Sequence, residues 1–203
     1  MARYTGPKTK VSRRYGVLLG GSARAFENKN YPPGMHGPKG ARRKVSEYAT
    51  ALAEKQKLRF QYGVLERQFS RYFETASRRR GVTGLILLQL LETRLDNIVY
   101  RMGFSKTRSG ARQLVSHGHV QVNGRKTDIS SANLKIGDVV TIKNKEGSQR
   151  LVNRGLEQTQ IVNPPAWLLV DKETLTGKMM SIPTREEINP IVNEQLVVEL
   201  YSR

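Results

Sequence analysis

The sequence predicts an α+β protein: a mostly helical domain with an extended basic N-terminal arm, into which a small module of two helices on a short antiparallel or mixed sheet is inserted. Between residues 45 and 102, apolar side chains recur at about the 3.6-residue period of an α-helix. After residue 118, short alternating stretches are separated by turn signals, which is typical of strands and hairpins. Residues 1–44 have neither pattern and are therefore assigned to the arm.

The charge of the chain limits the classes of partner. The 203 residues include 35 Lys and Arg against 17 Asp and Glu, a formal net charge of +18. Such a charge repels itself in a compact monomer, so it predicts a polyanionic partner, with nucleic acid as the first candidate and a membrane surface as the second. Without Cys, disulfides, thiol catalysis and thiolate-ligated zinc are excluded. With no apolar run long enough for a signal peptide or a membrane span, we expect a soluble cytoplasmic protein.

Shifts in charge divide the chain into four segments. The basic arm, residues 1–44, has 11 basic and 1 acidic side chains, and the helical domain, residues 45–91, has 8 and 4. The small module, residues 92–154, has 12 and 5, and the C-terminal segment, residues 155–203, has 4 and 7 and is net acidic. We expect the C-terminal segment to pack back on the helices of 45–91, which makes the module an insertion.

The arm combines Gly and Pro with many cations. Such a segment cannot bury enough apolar surface to offset the entropy it loses on ordering. Two interpretations remain open: a solvated disordered tail, or an arm that becomes ordered on a nucleic acid. The second assigns phosphate contacts to the basic side chains Arg3, Lys8, Lys10, Arg13, Arg14, Arg42, Arg43 and Lys44.

Three helices are predicted after the arm. Ser46 is a start signal for the first, and in the second the apolar side chains of residues 65–76 fall on one face. The third runs from about residue 85 to 102 and has an apolar stripe typical of core packing. Four cations of the first two helices are further candidates for phosphate contacts: Lys57, Arg59, Arg67 and Arg71.

Residues 105–118 are the most informative stretch. A Ser or Thr at the start can cap a helix and a Gly at the end can terminate it. Its apolar side chains face inward at helical spacing, whereas Lys106, Arg108 and Arg112 are predicted to point outward. Cations near a helix start oppose the helix dipole, so a phosphate backbone is their expected partner.

A hairpin is predicted directly after this helix. His119–Val122 alternates as a strand does, and Asn123-Gly124 is a strong turn signal. Arg125 and Lys126 follow, and with Asn123 they are candidate RNA contacts. A further short strand is predicted at Val139–Ile142.

Two histidines flank Gly118. Together, His117 and His119 are compatible with metal or acid–base chemistry, but no carboxylate partner follows from the spacing. The interpretation that we favour is contact with RNA near the end of the basic helix.

This arrangement closely resembles a known RNA-binding module. The matching residues are Arg94–Asn97, Ser105–Gly118, Val120–Gly124 and Gly137-Asp138. The flanks resemble one family in particular, bacterial-type small-subunit ribosomal protein four, which gave the module its name. The flanking stretches are residues 1–8, 12–14, 33–38, 54–59, 62–69 and 188–203.

The resemblance implies a structural constituent of the small ribosomal subunit, ribosome-bound and not an enzyme. Such a protein would bind small-subunit rRNA directly, nucleate assembly of the subunit body, and contribute with neighbouring proteins to translational accuracy. The implied partners are that rRNA, ribosomal protein five, other small-subunit proteins and, in some relatives, the protein's own messenger RNA. No cofactor, membrane or small-molecule substrate is implied.

Two departures from the family pattern affect the arm. Many relatives have a cysteine zinc site there, and this chain has no Cys, so we predict that no metal is bound and that packing and RNA order the arm. The family loop usually reads Pro-Gly-Gln-His-Gly, and here Met35 stands in place of Gln. His36 can still reach RNA, although a loop histidine without a function is an equal alternative.

In the C-terminal segment, 167–170 and 178–180 are predicted to pair as strands, and 196–200 also has a strand-like apolar run.

Three other functions fit the sequence less well than a ribosomal protein does. An RNA-modifying or tRNA-charging enzyme would need a catalytic domain for which no residues remain, and Asp96 is expected to cap or pair locally. A free-standing RNA chaperone would lack the arm and the acidic tail, and a membrane-surface protein would need a larger apolar helix face.

Overall fold

A computed structural model of the chain describes residues 3–38, 45–159 and 163–202, which divide into two compact units. One unit comprises the residues up to Gly84 and those from Pro190 onward, and the other is Leu85–Asn189. The predicted α+β class is confirmed, since the described residues form helices and one five-stranded sheet. In chain order the elements are α1 (Lys8–Tyr15), α2 (Ala23–Glu27), α3 (Glu47–Gln61), α4 (Glu66–Ser77), α5 (Thr83–Glu92), α6 (Leu95–Arg101), α7 (Arg108–Ser116), β1 (Val120–Val122), β2 (Arg125–Lys126), β3 (Val139–Ile142), α8 (Glu146–Gln158), β4 (Leu168–Asp171), β5 (Thr176–Met179), α9 (Arg185–Ile188) and α10 (Glu194–Ser202).

The core of the first unit lies where α3, α4 and α10 meet. Ser46 caps α3 as predicted, because its Oγ accepts a hydrogen bond from the Ala49 amide at 3.3 Å. The apolar face of α4 is also where the spacing places it: Phe69 and Ala76 are fully buried. Burial of a side chain the size of Phe69 stabilises the fold by roughly 1.5–3 kcal/mol.

Residues 196–200 are helical and not a strand, so that prediction is wrong. They lie in α10, which packs against α3 and buries Val197 completely. A short apolar run has no period that distinguishes a strand from one turn of a buried helix. The tertiary contact with α3 decides between them.

The arm is not uniformly extended, since its described part, residues 3–38, contains α1 and α2. Polar side chains replace an apolar core here. Ser12 is fully buried; its hydroxyl donates to the Gly20 carbonyl at 2.8 Å and accepts from the Leu19 amide at 3.1 Å. The Arg13 Nε donates to the carbonyls of Lys29 and Tyr31 at 2.9 and 3.0 Å. These bonds close the loops that follow α1.

The second unit is built on an antiparallel sheet of order β2-β1-β3-β5-β4. The predicted hairpin is confirmed: Val122 pairs with Arg125, and both turn residues, Asn123 and Gly124, have positive φ. The core beneath it joins α6, α7 and α8 to the sheet and includes Val99, Val115 and Trp167.

Strands β4 and β5 differ from the sequence-based organisation. They pair with each other as predicted, with Leu169 opposite Lys178. However, β5 also pairs with β3, so both strands extend the module's sheet. The expectation that all of 155–203 completes the helical domain is therefore wrong for these strands, and it is the residues from Pro190 onward that belong to the first unit.

The helix expected over residues 85–102 is two helices, α5 and α6, with a break at Thr93 and Arg94. Arg94 has an extended conformation, with φ −64° and ψ 137°. The segment after Ser130 explains the break, because the Leu95 amide donates to the Ala132 carbonyl at 2.8 Å. A carbonyl of a distant segment thus accepts a hydrogen bond from a backbone amide that would otherwise bond within one continuous helix.

Candidate nucleic-acid interface

Three of the module's predicted RNA contacts, Lys106, Arg125 and Lys126, are exposed, and we call them the outer cations. Lys106 precedes α7, which the hydroxyl of Thr107 caps by accepting from the Gly110 amide at 3.1 Å. Arg125 and Lys126 form β2, the outermost strand of the sheet. The predicted outward placement of Lys106 agrees with the structure.

Arg112 does not point freely outward, which corrects the sequence-based expectation. Its guanidinium bonds to the Asp96 carboxylate at 2.6 and 2.8 Å, and its side chain is only 16% exposed. Arg94 binds the same carboxylate from the other side at 2.8 Å. The helical period predicted which face of α7 carries Arg112, but that face lies against α6 and not against solvent. Asp96 therefore pairs locally, as predicted.

Arg108 is also partly withdrawn from solvent. Its Nε donates to the Asn97 side-chain oxygen at 2.8 Å, and its guanidinium lies 4.5 Å from the centre of the Tyr100 ring. Asn97 in turn donates to the fully buried Glu92 at 2.6 Å, and Arg101 binds Glu92 at 2.7 Å. These buried bonds fix α6 and α7 against each other, so Arg108 and Arg112 help to position α7.

Asn123 is exposed but it holds the hairpin together. Its Nδ2 donates to Asp138 at 2.9 Å, and its Oδ1 accepts from the Val139 amide at 2.9 Å. Both polar atoms of the side chain thus have partners within the sheet, which gives this predicted RNA contact a structural role.

The two module histidines lie together with several lysines. The His117 and His119 rings are 6.1 Å apart, and His119 Nδ1 is 2.9 Å from the Ser148 hydroxyl. Partial burial, followed by the charges of His117, Lys145 and Lys143, lowers the pKa of His119 below its ordinary value. Lys143 and Lys145 are not among the residues predicted from the sequence, although their position directly after the predicted strand Val139–Ile142 was an available signal. In the structure the Lys143 amide donates to the His119 carbonyl at 2.8 Å.

Most predicted contacts of the arm are exposed: Arg3, Lys8, Lys10, Arg14 and His36. Arg13 differs, because its guanidinium donates hydrogen bonds to backbone carbonyls after α2 and lies 4.7 Å from the Tyr31 ring centre. The predicted contacts Arg42, Arg43 and Lys44 lie outside the described residues.

The helix cations fall into two groups. Arg67 and Arg71 are exposed on α4, as the predicted face requires. Lys57 and Arg59 are half-buried, and both have partners on the protein: Lys57 pairs with Glu54, and Arg59 donates to Gln56 at 2.8 Å. Their predicted contact with RNA thus competes with bonds inside α3.

The described residues contain no group of His, Asp and Glu side chains that could hold a metal ion. None of the helices in the described part of the chain is long and apolar enough to cross a membrane.

Comparison with known proteins bears on both units. The ribosomal protein S4/S9 N-terminal domain family matches residues 3–92, and the S4 domain family matches residues 93–140. Similar proteins include those named small ribosomal subunit protein uS4 from Akkermansia muciniphila (62% identical), Opitutus terrae (57%) and Persephonella marina (53%), each matched over the full length of both chains. These matches confirm the resemblance inferred from the sequence. The chain belongs to the uS4 family of small ribosomal subunit proteins.

Proposed function

We propose that the protein is a structural, non-enzymatic constituent of the small ribosomal subunit that binds the subunit's RNA directly. The observation that carries this proposal is the placement of the outer cations, Lys106, Arg125 and Lys126, which are exposed around one capped helix and one hairpin. A phosphate backbone stabilises this arrangement, because its negative charges neutralise side chains that otherwise repel one another.

The mechanism is recognition of RNA shape. Double-stranded RNA hides its base edges in a deep groove, so contacts to phosphates and 2′-hydroxyls dominate. Such recognition needs a rigid protein surface, and the buried Asp96–Arg94–Arg112 and Glu92–Asn97–Arg108 networks provide one by fixing α6 against α7. The exposed cations of the arm are further candidates for phosphate contacts.

A charge-reversal experiment tests this proposal. The double variant Lys106→Glu/Arg125→Glu should bind a small-subunit rRNA fragment at least tenfold more weakly in a filter-binding assay, since about two phosphate contacts become repulsive. The matched control is Lys172→Glu/Lys178→Glu, which changes the charge equally at exposed positions of the β4–β5 turn and of β5, and it should bind within about threefold of wild type. Equal weakening in both variants would mean that only net charge matters, and would contradict the assigned surface.

The resemblance adds finer proposals. The protein would bind early, nucleate assembly of the subunit body and contribute to translational accuracy beside ribosomal protein five, and it could act on its own messenger RNA. Sedimentation separates the ribosomal role from that of a free RNA chaperone. We expect the protein to travel almost entirely with small subunits at high magnesium, and a predominantly free pool would contradict the proposal.

A further inference from the structure

Five basic side chains meet where α7 ends and β1 begins. His117 and His119 lie on either side of Gly118, and Lys126 of β2 passes directly over that glycine: a Cβ built there would clash with Lys126 Cε and lie 3.2 Å from its Nζ. Lys143 and Lys145 enter from the end of β3, where the Lys143 amide donates to the His119 carbonyl at 2.8 Å. We call His117, His119, Lys126, Lys143 and Lys145 the histidine–lysine cluster.

The cluster lacks acidic compensation inside the protein. Among the described residues, no ion pair involves any of its three lysines. The carboxylate at the start of α8, Glu146, is exposed and pairs with Arg150. The buried neighbour of His119 is the neutral hydroxyl of Ser148. Three ammonium groups placed together with two imidazoles repel one another and do not stabilise the fold. The arrangement therefore favours binding of an external anion.

We propose that the histidine–lysine cluster is a phosphate-binding site for double-stranded RNA in which binding is coupled to protonation of His119. This proposal rests on the proposed function and deepens it. It adds Lys143 and Lys145, which lie beyond residues 93–140 matched by the S4 domain family, to the RNA surface. The side chains of Lys126, Lys143 and Lys145 are exposed and supply the permanent charge, while His119 supplies a charge that depends on pH.

The direction of the coupling follows from the surroundings of His119. In the free protein, partial burial and the facing charges of His117, Lys145 and Lys143 lower the pKa of His119 from its ordinary value, which favours the neutral ring. A phosphate placed among these groups cancels their repulsion and raises the pKa of the ring. Binding therefore takes up protons, and the affinity for RNA rises as the pH falls from 8 toward 6.

The chain contains three histidines in all, which makes a clean experiment possible. The dissociation constant for a small-subunit rRNA fragment is measured from pH 6 to 8 at constant ionic strength. We expect wild type to bind at least about fivefold more tightly at pH 6 than at pH 8. The double variant His117→Gln/His119→Gln should lose most of this dependence, whereas His36→Gln, which changes an exposed histidine of the arm, should retain it.

A second variant guards against a packing effect, because His119 also contacts Ser148. Lys143→Gln/Lys145→Gln changes only exposed side chains and should reduce the log–log salt slope of binding by roughly 1.5. Binding that keeps the wild-type pH dependence in the histidine variant, or the wild-type salt slope in the lysine variant, would overturn the site alone. Absence of RNA binding by wild type at every pH would overturn the proposed function as well.

Discussion

Asp96 illustrates, at the scale of a single residue, how a buried charge organises this interface. It is 2% exposed and accepts bonds from Arg94 and from Arg112, which is 16 residues further along the chain. The sequence predicted that Asp96 caps a helix or pairs locally, and in the structure Arg94, two residues away, is one of its partners. The link to Arg112 could not be predicted, because periodicity gives the face of a helix and not the element that faces it.

Neutralising this carboxylate should destabilise the second unit strongly. In Asp96→Asn, Arg94 stays buried at 3% exposure without its charged partner. Breaking a buried pair from one side typically costs about 3–5 kcal/mol in free energy of unfolding. Urea denaturation followed by circular dichroism would measure the loss.

The control for this variant is an exposed ion pair in the same unit. Glu146→Gln removes the partner of Arg150 at a site where both side chains are more than three-quarters exposed, at 84% and 77%. Its urea midpoint should remain close to that of wild type, since solvent screens such pairs. Similar midpoints for Asp96→Asn and wild type would mean that the buried network does not stabilise the unit.

At the scale of elements, the apolar face of α4 and the short strands of the sheet are confirmed, whereas the single helix expected over residues 85–102 and the strand expected at 196–200 are wrong. The apolar face of α4, including Phe69, follows directly from the spacing. By contrast, residues 196–200 fold into α10 because α3 and α4 offer a surface for it. The Tyr201 ring stacks on Phe73, with centroids 4.5 Å apart, and its hydroxyl donates to Glu66 at 2.9 Å. Contacts across 135 residues of chain are not encoded in local periodicity.

The contact between α10 and α4 makes the first unit sensitive to acid. Partial burial opposes ionisation of Glu66, but bonds from Lys55 and Tyr201, with the charges of Lys55 and Arg59, outweigh it and lower the pKa of this carboxyl below 4.5. Since the folded pKa is depressed, the stabilisation is complete above pH 4.5 and is lost as the pH falls through the folded value.

Glu66→Gln should therefore lower the free energy of unfolding at pH 7 and weaken its decline below pH 4.5. The side chain is 47% exposed, so solvent screening limits the loss to below about 1 kcal/mol. Urea midpoints measured between pH 7 and 3 would provide the comparison. Glu74→Gln, an exposed carboxylate on the same helix, is the control and should follow the wild-type profile. Identical profiles for all three proteins would contradict the assigned role of Glu66.

At the scale of the whole molecule, positive charge is concentrated in the arm, whose described part has little apolar core of its own, and in the module, which has a buried core. Residues 1–44 have 11 basic and 1 acidic side chains. In their described part, hydrogen bonds from Ser12 and Arg13 to backbone carbonyls hold the loops in place of an apolar core. Residues 155–203 have 4 basic and 7 acidic side chains. This asymmetry was readable from composition alone, whereas the division of basic side chains into exposed and internally paired ones required the structure.

That division sets the expected salt dependence of RNA binding. Arg13 and Arg112 have partners inside the protein, so the number of phosphates neutralised should fall well below the 35 basic residues. With six to ten phosphates neutralised, the logarithm of the association constant should fall with the logarithm of salt concentration at a slope of roughly −4 to −9. Filter binding of the full-length protein to small-subunit rRNA between 50 and 300 mM salt, on the order of the physiological range, would measure it. A nearly flat response would remove the electrostatic basis of the proposed function, because a surface of exposed lysines and arginines cannot bind a polyanion without releasing its counterions.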